Sequence, residues 1–361
     1  MDNINTNQRD LIYCCPYCKV AIHSVDGSFF CEICNRYFAV REDIPIFNSD
    51  TPYYGELPKD EMHQILDEID YDDWKAVIHK HFAQRDPFTY QIIMTETRAD
   101  FQYLFSLNRD SLVLDVGSGW GTITVPVAKR GSKVVAVDST WERLLFLKKR
   151  SLQEQVSNIT LVCANLLESP FAQKQFDLII LNGVLEWVPT TVRDGDPEIL
   201  QLQALKECFR ILKPGGQLYL GIENSHAIQY FLGKPDDHTG ISYISFLPRD
   251  KATRLMMKKR GQLYRTYTYT KAGYDKLLRA AGFNRLEYYY PLPTYKQLES
   301  LIPLTQPSLL AFYYDYLQTL PDQDEDEITD QIKELEIKAI ADGDIEQKVS
   351  SYAIIVEKAN G

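Results

Sequence analysis

Residues 113–122 read Val-Leu-Asp-Val-Gly-Ser-Gly-Trp-Gly-Thr, and 134–138 follow as Val-Val-Ala-Val-Asp. Two apolar runs, each ending in an acid and one of them in a glycine-dense turn, have the pattern of buried parallel strands. Such strands meet ligands at their C-terminal ends. Gly117, Gly119 and Gly121 allow a sharp turn and a close backbone approach, because no Cβ intervenes. Asp138 lies about twenty residues beyond the first glycine, where a second strand offers its carboxylate to ribose hydroxyls. The spacing predicts a ligand that carries a ribose.

A second constellation is made of thiols. Cys15 and Cys18 form one C-x2-C knuckle, Cys31 and Cys34 another, with twelve residues between. Each knuckle presents two sulfurs to one tetrahedral ion, and the Asp26-Gly27 turn between two short strands (20–25 and 28–30) brings the knuckles together. Four thiolates leave no open position, so the expectation is a structural zinc in a small ribbon that staples and docks. Cys14 is the spare, expected as a semi-exposed thiol, whereas Cys163 and Cys208 read as small buried hydrophobes.

These groups need elements to hold them. The order of apolar runs predicts an α/β, doubly wound sheet with helices between its strands. A helical stretch at 141–151 follows Asp138, and further blocks lie at 158–166, at 176–181 and at 205–214 with Gly215-Gly216 before an apolar run at 217–222. Upstream, 59–82 reads as helical with Met62, Ile65, Leu66 and Ile69 on one face, and a second helix is expected over 88–107. Downstream, a helix at 269–282 stopped by Gly282 precedes strands at 283–290 and 351–357. His79 and His81 lie on opposite sides of their helix and make a poor metal pair.

The ordered blocks resemble the class I S-adenosylmethionine (SAM) dependent methyltransferases, of the type 11, ubiquinone-biosynthesis-methyltransferase-like kind. Thr122 stands where a dinucleotide fingerprint carries its third spaced glycine, and the extra glycine falls inside the turn instead. The resemblance implies a seven-stranded sheet whose last strand is antiparallel. It also implies that Gly117, Ser118, Gly119 and Gly121 approach the methionine portion, that Asp138 takes the ribose hydroxyls, and that Asp115 orders the turn and reaches the cofactor's amino end. Asn165 and Leu166 fall at the adenine, with Asn165 where an aspartate is common, and Asn182 falls at the methionine amine. Glu186 occupies the position that faces the methyl group in related enzymes. With a hydroxyl nucleophile, Glu186 or His238 is the expected base, His238 from its place in the turn-rich cluster at 236–240.

The resulting division is a zinc ribbon at 1–48, a linker with lid helices at 49–108, and a SAM-binding domain at 109–361 interrupted by insertions at 225–268 and 291–349. The first insertion carries a basic segment at 248–271, eight Lys and Arg against Asp250, suited to an anionic acceptor. The second holds an acidic stretch at 322–346, read as an exposed helix or arm. A net charge of −11 weighs against broad nucleic-acid binding. No apolar run reaches membrane-spanning length, and the polar start at 1–10 has no apolar export core, so a cytoplasmic protein is expected.

The leading expectation is methyl transfer to a small-molecule or saccharide-type acceptor. The segments at 235–240 and 247–249 are faintly similar to methyltransferases of bacterial surface-glycan clusters. Certain ribosomal RNA guanine methyltransferases carry a similar ribbon, which makes RNA nucleobase methylation the alternative. A non-catalytic binding module on the same fold is a third reading. Oligomeric state is not legible.

Overall fold

A computed structural model describes residues 11–48, 53–317, 319 and 327–360. The polar start at 1–10, part of the expected linker at 49–52 and the beginning of the acidic stretch at 322–326 lie outside the described residues. The architecture is α/β around a mainly parallel eight-stranded sheet, in the order Gln297–Pro303, Arg285–Thr294, Ser351–Glu357, Leu212–Glu223, Phe176–Asn182, Leu112–Val116, Lys133–Asp138, Ile159–Cys163. The chain divides into two compact units: 1–181 with 206–218 and 358–361, and 182–205 with 219–357.

The first unit opens with β1 (His23–Val25), β2 (Ser28–Cys31) and β3 (Arg36–Phe38), an antiparallel sheet, followed by the pair β4 (Val40–Arg41) and β5 (Ile44–Pro45). Asp26 and Gly27, at φ +48° and +76°, make the expected hairpin turn. The predicted helix over 59–82 is two helices, α1 (Lys59–Glu68) and α2 (Trp74–Phe82). The break follows from Asp73, whose carboxylate accepts from Lys75 N and Ala76 N and starts a new helix. Met62, Ile65, Leu66 and Ile69 are all buried as the spacing required. The helix expected over 88–107 is likewise split, into α3 (Pro87–Met94) and a 3-10 turn at Thr97–Leu104, because Thr95 adopts an extended conformation.

Three parallel βα repeats follow: β6 (Leu112–Val116), α4 (Thr124–Lys129), β7 (Lys133–Asp138), α5 (Trp141–Gln153), β8 (Ile159–Cys163) and β9 (Phe176–Asn182). β6 pairs in parallel with β7 and β9, and β7 with β8. Their continuous Val/Ile/Leu runs are buried on both faces, as a parallel sheet requires. Helices α1 and α2 pack with Phe146 and with Trp120 of the glycine turn in one apolar cluster. Helix α6 (Pro197–Ile211) leads into β10 (Leu212–Glu223).

The second unit contains α7 (Ile228–Phe231), α8 (Arg249–Arg260), α9 (Lys271–Ala281), β11 (Arg285–Thr294), β12 (Gln297–Pro303), α10 (Pro307–Leu317), α11 (Glu327–Asp342) and β13 (Ser351–Glu357). α9 ends where expected, at Gly282 with φ +112°. The last strand, β13, is antiparallel to β11. One strand exceeds the expected seven. The insertion at 291–349 folds back after Tyr295 and Lys296, so β12 pairs antiparallel with β11 and extends the sheet. Among the described residues no helix is long and apolar enough to cross a membrane.

Candidate functional site

The glycine turn is a knot of backbone bonds in the first unit. Gly117 N and Ser118 N both donate to Val137 O, at 2.7 and 3.0 Å, and Gly121 N donates to Ser118 O at 2.8 Å. Glycine is favoured at 121 for two reasons. Its φ is +77°, and a Cβ there would lie 2.4 Å from Leu147 Cδ1. Asp138 ties the turn to the second strand: Oδ2 accepts from Gly119 N at 2.9 Å and Oδ1 from Thr140 N at 2.8 Å. Each carboxylate oxygen retains a second lone pair, so ribose hydroxyls and the turn can be served together.

Asp115 sits at the end of β6, fully buried, and accepts from Thr124 Oγ1 at 2.5 Å. It orders the start of α4 directly and the turn only through that helix. Burial pushes its carboxyl up to about 7 despite the Thr124 bond. The Ser118 hydroxyl is buried with no partner among the described residues. Asn165 Oδ1 caps the 3-10 turn that begins at Leu166, accepting from Leu167 N at 3.0 Å.

Two residues beside this turn were not legible in the sequence. Glu56 accepts from Trp120 Nε1 at 3.2 Å and also pairs with Arg143, whose Nη1 lies 3.6 Å from where a Cβ on Gly119 would stand. No spacing rule links positions 56 and 143.

The four ribbon cysteines converge. Their sulfurs all lie within 4.8 Å of one another, with Cys15–Cys34 at 3.8 Å and Cys18–Cys31 at 3.5 Å. A tetrahedral ion held at about 2.3 Å from each sulfur separates its ligands by about 3.8 Å. The donor set and spacing fit zinc. Cys14 corrects its expectation as a semi-exposed thiol: it is 1% exposed, and its Sγ donates to Phe171 O at 3.1 Å. Tyr13 stacks among Phe29, Phe47 and Phe171, and Lys19 donates to Ser169 O at 2.9 Å. The ribbon thus docks on the segment between β8 and β9. Cys163 and Cys208 are buried, as expected.

In the second unit, Glu186 and His238 do meet. His238 Nε2 lies 3.6 Å from Glu186 Oε1 and 3.6 Å from Glu223 Oε2, all three side chains at most 4% exposed. At that separation the three interact as charges rather than through a formed hydrogen bond. Glu223 is anchored in turn by Tyr295, whose hydroxyl donates at 2.6 Å, and by Lys296 Nζ at 2.8 Å. Burial alone would raise Glu223, but Lys296, His238 and Tyr295 hold it at about 2. Burial raises Glu186 above the usual carboxylate range. Burial opposes the charged form of His238, yet Glu223 and Glu186 prevail and lift it to about 9. His238 Nδ1 is buried with no hydrogen-bond partner among the described residues. Trp187 lies edge-on to the ring at 5.2 Å. Tyr295 and Lys296 were missed as site residues. The available signal was the two-residue reversal at 295–296 between two apolar strands.

Asn182 Nδ2 donates to Tyr295 O at 3.3 Å, so it stands in the same unit as this cluster. His81 bonds Glu68 at 2.9 Å and His79 approaches Tyr90 at 3.3 Å. The basic segment divides into two roles. Arg249, Arg265 and Lys271 are tied into the second unit, Arg265 by donating to Pro189 O at 2.8 and 2.6 Å, while Lys251, Arg254, Lys258, Lys259 and Arg260 are exposed on α8.

Residues 114–220 match the family described as "Methyltransferase domain". The chain is 27% identical over 232 residues to a ubiquinone biosynthesis O-methyltransferase of Chromobacterium violaceum, covering 63% of this chain and 92% of that one. It is 32% identical over 118 residues to the ubiquinone biosynthesis O-methyltransferase of Coxiella burnetii (strain Dugway 5J108-111), covering 33% of this chain and 46% of that one. It spans from about a fifth to under half of the length of several curated relatives that it matches. A solved SAM-dependent methyltransferase from Archaeoglobus fulgidus is similar at 14% identity and a TM-score of 0.45, over 77% of this chain and 99% of that one.

Proposed function

We propose that this chain is a SAM-dependent methyltransferase that transfers a methyl group to a hydroxyl of a small-molecule or saccharide-type acceptor. The observation that carries the reading is the Asp138-tied glycine turn, inside the segment that matches a methyltransferase domain. Gly117, Ser118, Gly119 and Gly121 cradle the cofactor, and Asp138 accepts from its ribose hydroxyls with the lone pairs that the turn leaves open. Asp115, Asn165, Leu166 and Asn182 keep the roles that the resemblance gives them. Bound SAM supplies an electrophilic methyl on a sulfonium centre.

His238 is the proposed base. The neutral ring takes the acceptor's proton, and the carboxylates of Glu186 and Glu223, each 3.6 Å from Nε2, favour the cation that forms. Glu186 stabilises the imidazolium that results. Glu223 is a positioning residue, locked by Tyr295 and Lys296. Cys15, Cys18, Cys31 and Cys34 hold a structural zinc, and such a thiolate site suits a reducing cytoplasm. The functional division is the ribbon at 1–48, the linker and lid helices at 49–108, and the methyltransferase domain at 109–361.

Incubation of the zinc-loaded chain with methyl-labelled SAM and fractionated cell extract tests the reading. Label in a small-molecule or glycan fraction is expected, and its loss is expected in His238→Ala. The exposed basic face of α8 favours a second reading, RNA methylation, which requires label in the nucleic-acid fraction instead. No transfer to any fraction would leave the fold as a binding module.

A further inference from the structure

The second unit contains a cavity of about 410 Å³ that the chemistry above does not use. It lies at the exit of β10, where Ser225 and His226 follow Glu223, and between the first turns of two helices. α8 begins at Arg249 after Pro248, and α9 begins at Lys271 after Thr270; Pro248, Arg249, Thr270 and Gly273 all line the cavity. The positive ends of both helix dipoles therefore face one space, that of α9 with its Gly273 N already capped by Thr270 Oγ1 at 3.3 Å.

Arg249 adds a full charge. Its guanidinium stacks 3.9 Å from the centre of the Tyr267 ring and 5.3 Å from that of Tyr269, and donates to Thr268 O at 2.9 Å. Among the described residues it has no acidic partner within 4 Å, although the chain carries a net charge of −11. A half-buried arginine without a counter-ion in an acidic protein is an incomplete arrangement. A second observation is independent of charge. Ser245, 8% exposed, lines the same cavity, and its hydroxyl has no partner. His226, whose Nδ1 meets Ser225 Oγ at 3.0 Å, also lines the wall.

We propose that this cavity binds the phosphoryl group of a phosphorylated small molecule, which is the acceptor's handle. Arg249 and the two helix starts meet the dianion, the Ser245 hydroxyl donates to it, and the remaining volume beside Phe246 and Tyr269 accommodates the attached group. The assignment to the acceptor rests on the methyltransferase reading; the anion site itself does not.

Calorimetric titration of the zinc-loaded full chain with inorganic phosphate, glucose 1-phosphate and glucose tests this. Saturable binding of both phosphates and none of glucose is expected. Arg249→Gln should weaken the phosphates about tenfold or more, and Ser245→Ala several-fold, whereas exposed Lys258→Ala should leave them unchanged. Arg249 packs on tyrosines and its loss could perturb folding, so Ser245→Ala gives a second, milder check. Equal binding in both variants, or no saturable binding of either phosphate, overturns the proposal. So does binding only to phosphatidate-containing phosphatidylcholine vesicles. S-adenosylhomocysteine titrated into the same samples separates the two levels: its loss defeats the methyltransferase reading, and its retention without phosphate binding defeats this inference alone.

Discussion

The Tyr295 hydroxyl and Glu223 Oε1 are joined by a 2.6 Å hydrogen bond across 72 residues of sequence. With Lys296 on the same oxygen, this bond keeps a buried carboxylate charged opposite His238. For the proposed base, His238, proton affinity is then set by these surroundings. His238 must be neutral to accept a proton, so transfer should rise as pH climbs through about 9. Glu223→Gln removes the strongest influence that raises His238. The midpoint of the pH–rate curve should fall toward the ordinary 6.5, by about one unit or more. An unmoved midpoint would remove Glu223 from the account.

The ribbon should contain one zinc per chain. Cobalt substituted at the site should give the intense absorption of a tetrathiolate centre, and Cys34→Ser should abolish it. Because the ribbon has almost no core of its own, chelation should melt it and undock Tyr13 and Lys19 from the segment between β8 and β9. Hydrogen exchange across 169–172 measures that release. Unchanged protection in metal-free protein would contradict a stapling role.

Gly121→Ala places a methyl against Leu147 in a backbone conformation unfavourable to alanine. A loss of about 1–3 kcal/mol of stability is expected, read by denaturant unfolding. Gly27→Ala, which meets nothing within 4 Å, should cost less, from its positive φ alone.

Glu336 is buried and takes hydrogen bonds from Tyr290 and Tyr314. Burial raises its carboxyl from the usual 4.5 to about 7. The folded state therefore holds this proton more tightly than the unfolded chain does. The stability it contributes is present below 4.5 and lost as pH rises through about 7. Glu336→Gln cannot titrate, so its stability relative to the native protein should improve by about 3 kcal/mol between those limits. A constant difference across that range would show that Glu336 ionises normally.

The strands and turns around Asp115 and Asp138 were legible because each is a local statement: an apolar run, an acid, a glycine. The ribbon was legible for the same reason, since two C-x2-C knuckles and Asp26-Gly27 encode their own geometry. Breaks were harder. Asp73 looked like one more polar residue on a helix until its side chain capped a new one. Glu186 and His238 were found from position, but Tyr295 and Lys296, which anchor Glu223 beside His238, are supplied by a hairpin absent from the expected seven-stranded pattern. Cys14 was misread because its burial comes from docking against Phe171, a long-range contact that spacing does not encode.

The central claim is that the Asp138-tied glycine turn is a SAM site. Calorimetry of the zinc-loaded chain with S-adenosylhomocysteine tests it most directly. The account predicts saturable one-to-one binding that weakens at least about tenfold in Asp138→Ala, which removes the ribose acceptor and frees Gly119 N. No binding to the native chain, or equal binding by the variant, would contradict it.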